Sequence, residues 1–374
     1  MLYCAAPWTA LFIDPTGVVK SCCAGMWEWG NLNDTPLPEI LANKRVTEMK
    51  QDILNGVAND FCSTCAENER LTGRSQRQYF DDFRKDEEKF KDPTLFELRA
   101  LDIRWSNLCN LNCVYCNDTW STTWQKVKGI SITSLSRPYT NDILAYIISQ
   151  NGSITKVILV GGEPLLMKTN VKLIEGLMPE THIEIITNLN TDLEKSPVYE
   201  ALVKHRHVSW HVSAEATGKQ FEFIRQGASW DLMERNLRQI KGQFKTVNFL
   251  PVFCLFSLDN LEDFVKTSRG MHMHMHWQNL IGPMEHNIFN FSEPVRKYAR
   301  DKLAALIEKM PLLDLGYKLD TSFFEQATQM LNVPPAQEID LKFRVWLKEF
   351  EEKFNEAGTF AENWPELNAL IKKE

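Results

Sequence analysis

Short apolar runs alternate with stretches of helical spacing along most of the chain. From Leu98 onward the runs Ala100 to Trp105, Lys156 to Val160, Ile183 to Thr187, Val208 to Val212, Val247 to Phe256 and Met271 to Trp277 have the length of strands. Between them, Asn141 to Ser149, Val171 to Leu177, Val198 to His205, Leu232 to Ile240 and Leu261 to Thr267 repeat apolar residues every three to four positions. Strand and helix in strict alternation predict an α/β fold with a parallel sheet and covering helices. Upstream, Ala10 to Ile13 and Val18 to Ser21 flank Asp14-Pro-Thr-Gly17, where proline presets φ and glycine accepts positive φ, so a β-hairpin is expected. Glu39 to Val57 predicts one helix, with Gly56 suited to its C-terminal end. Residues 66 to 97, with Arg70, Arg74, Arg77 and the run Asp81 to Lys91, are mostly charged and read as a solvated helix or linker; the arginines could also steady a carboxylate or phosphate. Beyond Pro283 the pattern is helical over Pro294 to Met310, Ser322 to Leu331 and Asp340 to Ala357, the last with a stripe of Phe343, Trp346, Leu347, Phe350 and Phe354. Three regions follow: 1–97, 98–285 and 286–374.

Charge and cysteine content narrow the function. The 374 residues carry a net charge of -7, with no basic stripe for phosphate contacts, so a nucleic-acid substrate is disfavoured and a small molecule or peptide is expected. The N-terminus has no basic region before an apolar run, and no later apolar stretch approaches the ~20 residues of a membrane span, so a cytoplasmic protein is expected. Nine cysteines with CxxC-type spacings read as metal or cluster ligands rather than disulfides.

Three of them, Cys109, Cys113 and Cys116, stand at C-x3-C-x2-C in one loop. A cubane cluster takes four thiolates, so three from one loop leave an iron open to a non-protein ligand; a structural zinc site would want a fourth protein ligand. The loop, with the aromatic Tyr115 just before its third cysteine, resembles the signature of the radical S-adenosylmethionine (radical SAM) enzymes. The resemblance implies a partial (β/α)6 TIM-like barrel and a [4Fe-4S] cluster held by Cys109, Cys113 and Cys116. It also implies S-adenosylmethionine on the open iron, cleaved to a 5′-deoxyadenosyl radical by an electron from a low-potential donor such as flavodoxin or ferredoxin.

Each later motif falls at the end of an expected strand, where barrel chemistry sits. Gly161-Gly162-Glu163-Pro164 follows the second strand, about 45 residues beyond the cysteine loop; two glycines let backbone approach a ligand closely, and Glu163 gives an anionic acceptor for an ammonium group. In the family this motif holds the methionine amine. Ser213 and Glu215 match the ribose-contacting pair, Arg225 the arginine that meets the methionine carboxylate, and Asn188 is a further ligand neighbour. Ser213 and Asn188 would alternatively cap helices.

The first 65 residues present Cys4, Gly17 and Cys22 at C-x12-G-x4-C, then Cys62-Ser-Thr-Cys65. This order resembles the Twitch domain, the short relative of the SPASM domain, and implies an auxiliary [4Fe-4S] cluster on Cys4, Cys22, Cys62 and Cys65, with Cys23 as the spare; a zinc-ribbon-like site is the alternative. In most such families the domain follows the barrel. Here a small α+β unit precedes it, on a linker that would let it cover the barrel mouth, and a helical extension ends the chain.

Two further positions are candidates for touching substrate. In Met271-His-Met-His-Met-His276 period-two alternation puts three histidines on one strand face, spanning about 13 Å, too far to share one ion, with His276 nearest the C-terminal end. Cys254, expected inside the fifth strand, reads as a small buried hydrophobe or as a hydrogen-atom donor. The leading expectation is a radical SAM enzyme that abstracts hydrogen from a small molecule or peptide, as an oxidoreductase, a lyase or a peptide maturase forming thioethers, epimers or crosslinks; the alternative is a non-catalytic metal-binding module.

Overall fold

The computed structural model describes residues 3–72, 75–80, 90–132, 134, 137–280, 282–313 and 321–372. Arg74 and the charged run from Asp81 to residue 89 lie outside them. The fold is α/β around a mostly parallel eight-stranded sheet, and it divides into two compact units.

The first unit comprises Met1–Cys109, Asp118–Thr187 and Asp192–Ser209. Its parallel core is Ala10–Ile13, Ala100–Ile103, Lys156–Leu159 and His182–Thr187, side by side in that order. The expected hairpin forms between Ala10–Ile13 and Val18–Lys20, its turn held by Asp14 Oδ1, which accepts from Thr16 N, Thr16 Oγ1 and Val18 N. Ala10–Ile13 also pairs in parallel with Ala100–Ile103, in register Phe12 to Asp102. The hairpin is therefore the margin of the sheet itself and not a separate cover on a linker. The buried faces of these strands carry Leu11, Ile13, Leu101, Ile103, Val157, Leu159, Ile183 and Ile185, each at most 1 % exposed. The expected helix from Glu39 is two, Leu37–Leu41 and Lys44–Asn55, because Asn43 accepts from Arg45 N and starts a new helix, which ends at left-handed Gly56.

Val208–Val212 begins in the first unit, where His207 O accepts from Ile183 N, and continues into the second. The second unit comprises Asn110–Asn117, Asn188–Thr191 and Trp210–Glu374. There Leu250 N donates to Val212 O beside Thr246–Phe249. The fifth expected strand is split: Pro251 has no N–H to give a ladder, and Val252–Phe253 pairs instead with Gln278–Asn279. The sixth, Met271 to Trp277, does not form as a continuous strand. His272 takes φ +50, and only Met275 bridges to Phe249, so a left-handed residue interrupts the alternation. The C-terminal helices Glu293–Lys309, Ser322–Leu331, Asp340–Glu351 and Pro365–Lys372 pack through an aromatic core that includes Phe256, Phe343, Phe360 and Trp364. Among the described residues no helix is long and apolar enough to cross a membrane.

Candidate active site

In the first unit the cysteine loop leaves the sheet at Asn107 and meets the glycine loop backbone to backbone. Glu163 N donates to Leu108 O at 2.7 Å. A Cβ on Gly162 would lie 2.2 Å from Leu108 O and 2.6 Å from Asn107 C, and Gly161 holds φ +135 with Ser106 O 3.0 Å from its would-be Cβ. The glycines thus make room for the cysteine loop itself, where close approach of a ligand was expected. Cys109 N donates to Thr122 Oγ1, and Thr122 N to Asn107 O, so the helix Thr122–Lys128 braces the same loop. Glu163 is fully buried, and its Oε1 accepts from Leu165 N at 3.0 Å and from Thr187 Oγ1 at 2.7 Å.

In the second unit Cys113 and Arg225 sit opposite one another in the short antiparallel pair Asn112–Cys113 and Arg225–Gln226. The Arg225 fork grips Glu215 at 2.6 and 3.0 Å, donates to Tyr115 Oη at 2.6 Å and reaches Cys113 Sγ at 3.7 Å. Arg225 is 5 % exposed and Glu215 fully buried. Burial also drives the Tyr115 phenol well above its ordinary range, so it stays protonated beside the carboxylate. The residue expected to meet a ligand carboxylate is therefore paired with the residue expected to meet a ribose. Sequence reading placed each at its loop but missed the pair, since a ten-residue offset carries no periodic signal. Cys116 N closes the turn on Cys113 O at 3.0 Å. Asn188 neither caps a helix nor stands open: its amide donates to Asn110 Oδ1, its Oδ1 accepts from Asn190 N, and Asn110 donates back to Asn190 O. Ser213 is half-buried.

The other candidates separate. Cys254 is fully buried at the start of the turn Leu255–Asn260, outside any strand, its backbone locked with Ser257 Oγ, and burial pushes its thiol up to about 12. His276 is exposed, its ring 6.0 Å from that of His211. His272 and His274 are exposed as well, so these side chains do not line an interior in the way expected.

A second thiol site lies in the first unit. Cys4, Cys22, Cys62 and Cys65 line one pocket with Ala6, Pro7, Phe61, Phe80 and Arg77. Cys4 is carried by the segment before the first strand, Cys22 by the loop after the hairpin, Cys62 by the turn Asp60–Cys62, where Asn59 Oδ1 accepts from Cys62 N, and Cys65 by the start of the helix Ser63–Thr72. Burial, then neighbouring thiols, pushes Cys22 up to about 12, and Cys4 is raised in the same way. Burial takes Cys62 to about 11, with Arg77 pulling against it. The four thiols thus share one pocket whose wall also carries Ser21 and Gln76, though among the described residues no three such side chains stand close enough to hold a single metal ion. Cys23 is exposed and does not line the pocket.

The SPASM iron-sulfur cluster-binding domain matches residues 4–66, and the radical SAM superfamily matches residues 103–267. The chain carries a radical SAM domain behind an N-terminal SPASM domain. Members of that superfamily are enzymes that use S-adenosylmethionine and [4Fe-4S] clusters. The 7-carboxy-7-deazaguanine synthase of Clostridium acetobutylicum is 36 % identical over 88 residues, 23 % of this chain and 36 % of that protein. The chain thus matches about a third of that relative's length. Native anSMEcpe with bound AdoMet aligns at 17 % identity over 57 % of this chain and 60 % of its own, TM-score 0.43. Streptococcus suis SuiB bound to S-adenosylmethionine aligns at 12 % identity over 80 % and 68 %, TM-score 0.42.

Proposed function

We propose that this radical SAM protein abstracts hydrogen from a small molecule or peptide, with Cys109, Cys113 and Cys116 holding the catalytic [4Fe-4S] cluster and Cys4, Cys22, Cys62 and Cys65 an auxiliary one. The observation that carries the reading is the Arg225 fork, which spans Cys113, Tyr115 and Glu215 and so ties a thiol of the signature loop to a buried, fixed cation. A cluster held by Cys109, Cys113 and Cys116, with S-adenosylmethionine bound, would supply the hydrogen-abstracting chemistry.

The protein's own part is to place and shield. Glu163 offers its carboxylate to the methionine ammonium beside the cysteine loop, which its backbone N–H already anchors at Leu108. Glu215 and Arg225 present acceptor and donor edges that a ribose or carboxylate can share. One face of the sheet in the first unit mixes Phe12 and Ile158 with ion pairs: Asp102 pairs with Arg104 at 3.2 Å and Lys156 with Glu184 at 3.0 Å, with Tyr79 donating to Glu184 at 3.1 Å. A low-potential donor such as flavodoxin or ferredoxin would supply the electron that the cluster's chemistry consumes.

The test is an anaerobic assay with reductant and S-adenosylmethionine, scoring substrate-stimulated 5′-deoxyadenosine and deuterium transferred into it from labelled candidate pools. Wild-type protein produces it, and Cys109→Ala/Cys113→Ala/Cys116→Ala does not. Equal yields from both would remove the proposed catalytic site.

A further inference from the structure

Among the described residues that line the four-thiol pocket, Arg77 is the only arginine or lysine, and it is held there. Its side chain is 12 % exposed and its Nε lies 3.3 Å from Glu69 Oε1, itself 14 % exposed. Glu69 stands four residues beyond Cys65 on the helix Ser63–Thr72 and so shares that cysteine's face. Ser75 Oγ donates to the same Glu69 oxygen at 2.5 Å, and Arg77 N donates to Ser75 Oγ at 3.1 Å, which closes the segment around the guanidinium. Of the remaining wall, Ala6, Pro7, Phe61 and Phe80 are apolar and Ser21 and Gln76 are neutral and polar, so among the described lining residues no other charge faces the thiols there. A charge on a side chain this little exposed is weakly screened.

We propose that Arg77, fixed by Glu69, is a positioning residue that raises the reduction potential of the auxiliary cluster and so makes it the better electron acceptor. The inference rests on the proposed ligand set for that cluster and names what sets its potential. One-electron reduction adds a negative charge to a site already surrounded by thiolates, with no bond made or broken. A fixed cation at the wall stabilises the reduced form more than the oxidised one, and outer charges are among the levers by which proteins set cluster potentials. Glu69 both orients the guanidinium and offsets part of its charge, so the two residues have opposite expected effects.

The experiment uses full-length Cys109→Ala/Cys113→Ala/Cys116→Ala protein, reconstituted with iron and sulfide and titrated with dithionite while the reduced cluster is followed by electron paramagnetic resonance. With Arg77→Gln the ratio of reduced to oxidised cluster at a fixed potential falls about tenfold, a shift of about 59 mV to more negative values for a one-electron couple. Arg77→Lys keeps most of the parent potential, and Glu69→Gln shifts it the other way. Full iron content with an unchanged potential in both neutral variants, or with both shifted in one direction, overturns the role given to Arg77. A parent protein that takes up no iron overturns the auxiliary-cluster reading itself, and the two failures are told apart by iron content.

Discussion

The four-thiol pocket of the first unit and the Arg225 network of the second are both buried and both contain cysteine, yet their electrostatics are opposite. In the pocket, burial pushes the thiols of Cys4, Cys22 and Cys62 above their ordinary range, and the arginine among the described lining residues is shared with Glu69. In the network, the Arg225 cation is already matched by Glu215 and hydrogen-bonded to Tyr115. Charging the pocket thiols requires a positive centre beside them; the ion pair of the network is matched before any ligand arrives. A metal centre should therefore stabilise the first strongly, because binding energy there is also folding energy, while a ligand of the second must compete with an existing ion pair.

The largest expected effect separates the two cysteine sets. Cys62→Ala/Cys65→Ala protein loses the auxiliary iron and melts lower, yet still cleaves S-adenosylmethionine; Cys109→Ala/Cys113→Ala/Cys116→Ala protein keeps one cluster's worth of iron and cleaves none. Iron and sulfide analysis beside the 5′-deoxyadenosine assay reads both. Normal substrate turnover by a folded Cys62→Ala/Cys65→Ala protein would confine the auxiliary cluster to a structural role.

Next in size is the network. Glu215→Gln leaves the Arg225 guanidinium buried without its counter-ion and should cost about 3–5 kcal/mol of stability. Arg225→Ala should do the same from the other side, while also weakening S-adenosylmethionine binding. Because the pair is coupled, the double variant should be less destabilised than the two single losses added together. Denaturant melts of all four proteins measure this, and simple additivity would show that the pair is not the unit it looks to be.

The two regions also differ in how much the sequence reveals. Cysteine spacing, the glycine pair and the hairpin turn are local signals, and Val208–Val212 and Ser322–Leu331 form over the residues their periodicity marks. Pairing between distant segments leaves no such trace. Nothing in Ala10–Ile13 announces a parallel partner at Ala100–Ile103, and nothing in the spacing of Glu215 and Arg225 announces an ion pair. The histidine–methionine alternation misleads for a different reason: exposure does alternate there, with Met273 buried between exposed histidines, but a left-handed His272 and a single bridge replace the ladder.

A smaller effect tests the contact between the glycine and cysteine loops. Gly162→Ala places a methyl group 2.2 Å from a backbone oxygen that cannot swing aside as a side chain would. Overpacking of this kind should cost about 3 kcal/mol. The loss should appear both in the melting temperature and in iron bound by the Cys109 loop, with the auxiliary iron retained. An unchanged protein would mean that the two loops part without penalty.

The smallest effect belongs to His286 and depends on pH. Its ring is fully buried, 4.0 Å from the Trp346 ring and 5.4 Å from that of Phe256, and neither nitrogen has a hydrogen-bond partner. Burial lowers its pKa from 6.5 to about 3. The folded chain therefore binds this proton less readily than the unfolded chain does. The stability is fully present above pH 6.5 and is lost progressively as the pH falls toward 3, because protons are taken up on unfolding. At pH 5 the loss relative to neutral pH should be about 1–2 kcal/mol. His286→Phe keeps an aromatic ring in the aromatic core but removes the titration, so its melting temperature should fall less than that of the wild type between pH 7 and pH 5. Parallel pH profiles for the two proteins would mean that water or a neighbouring group satisfies the His286 ring, and that the C-terminal helices owe none of their acid sensitivity to it.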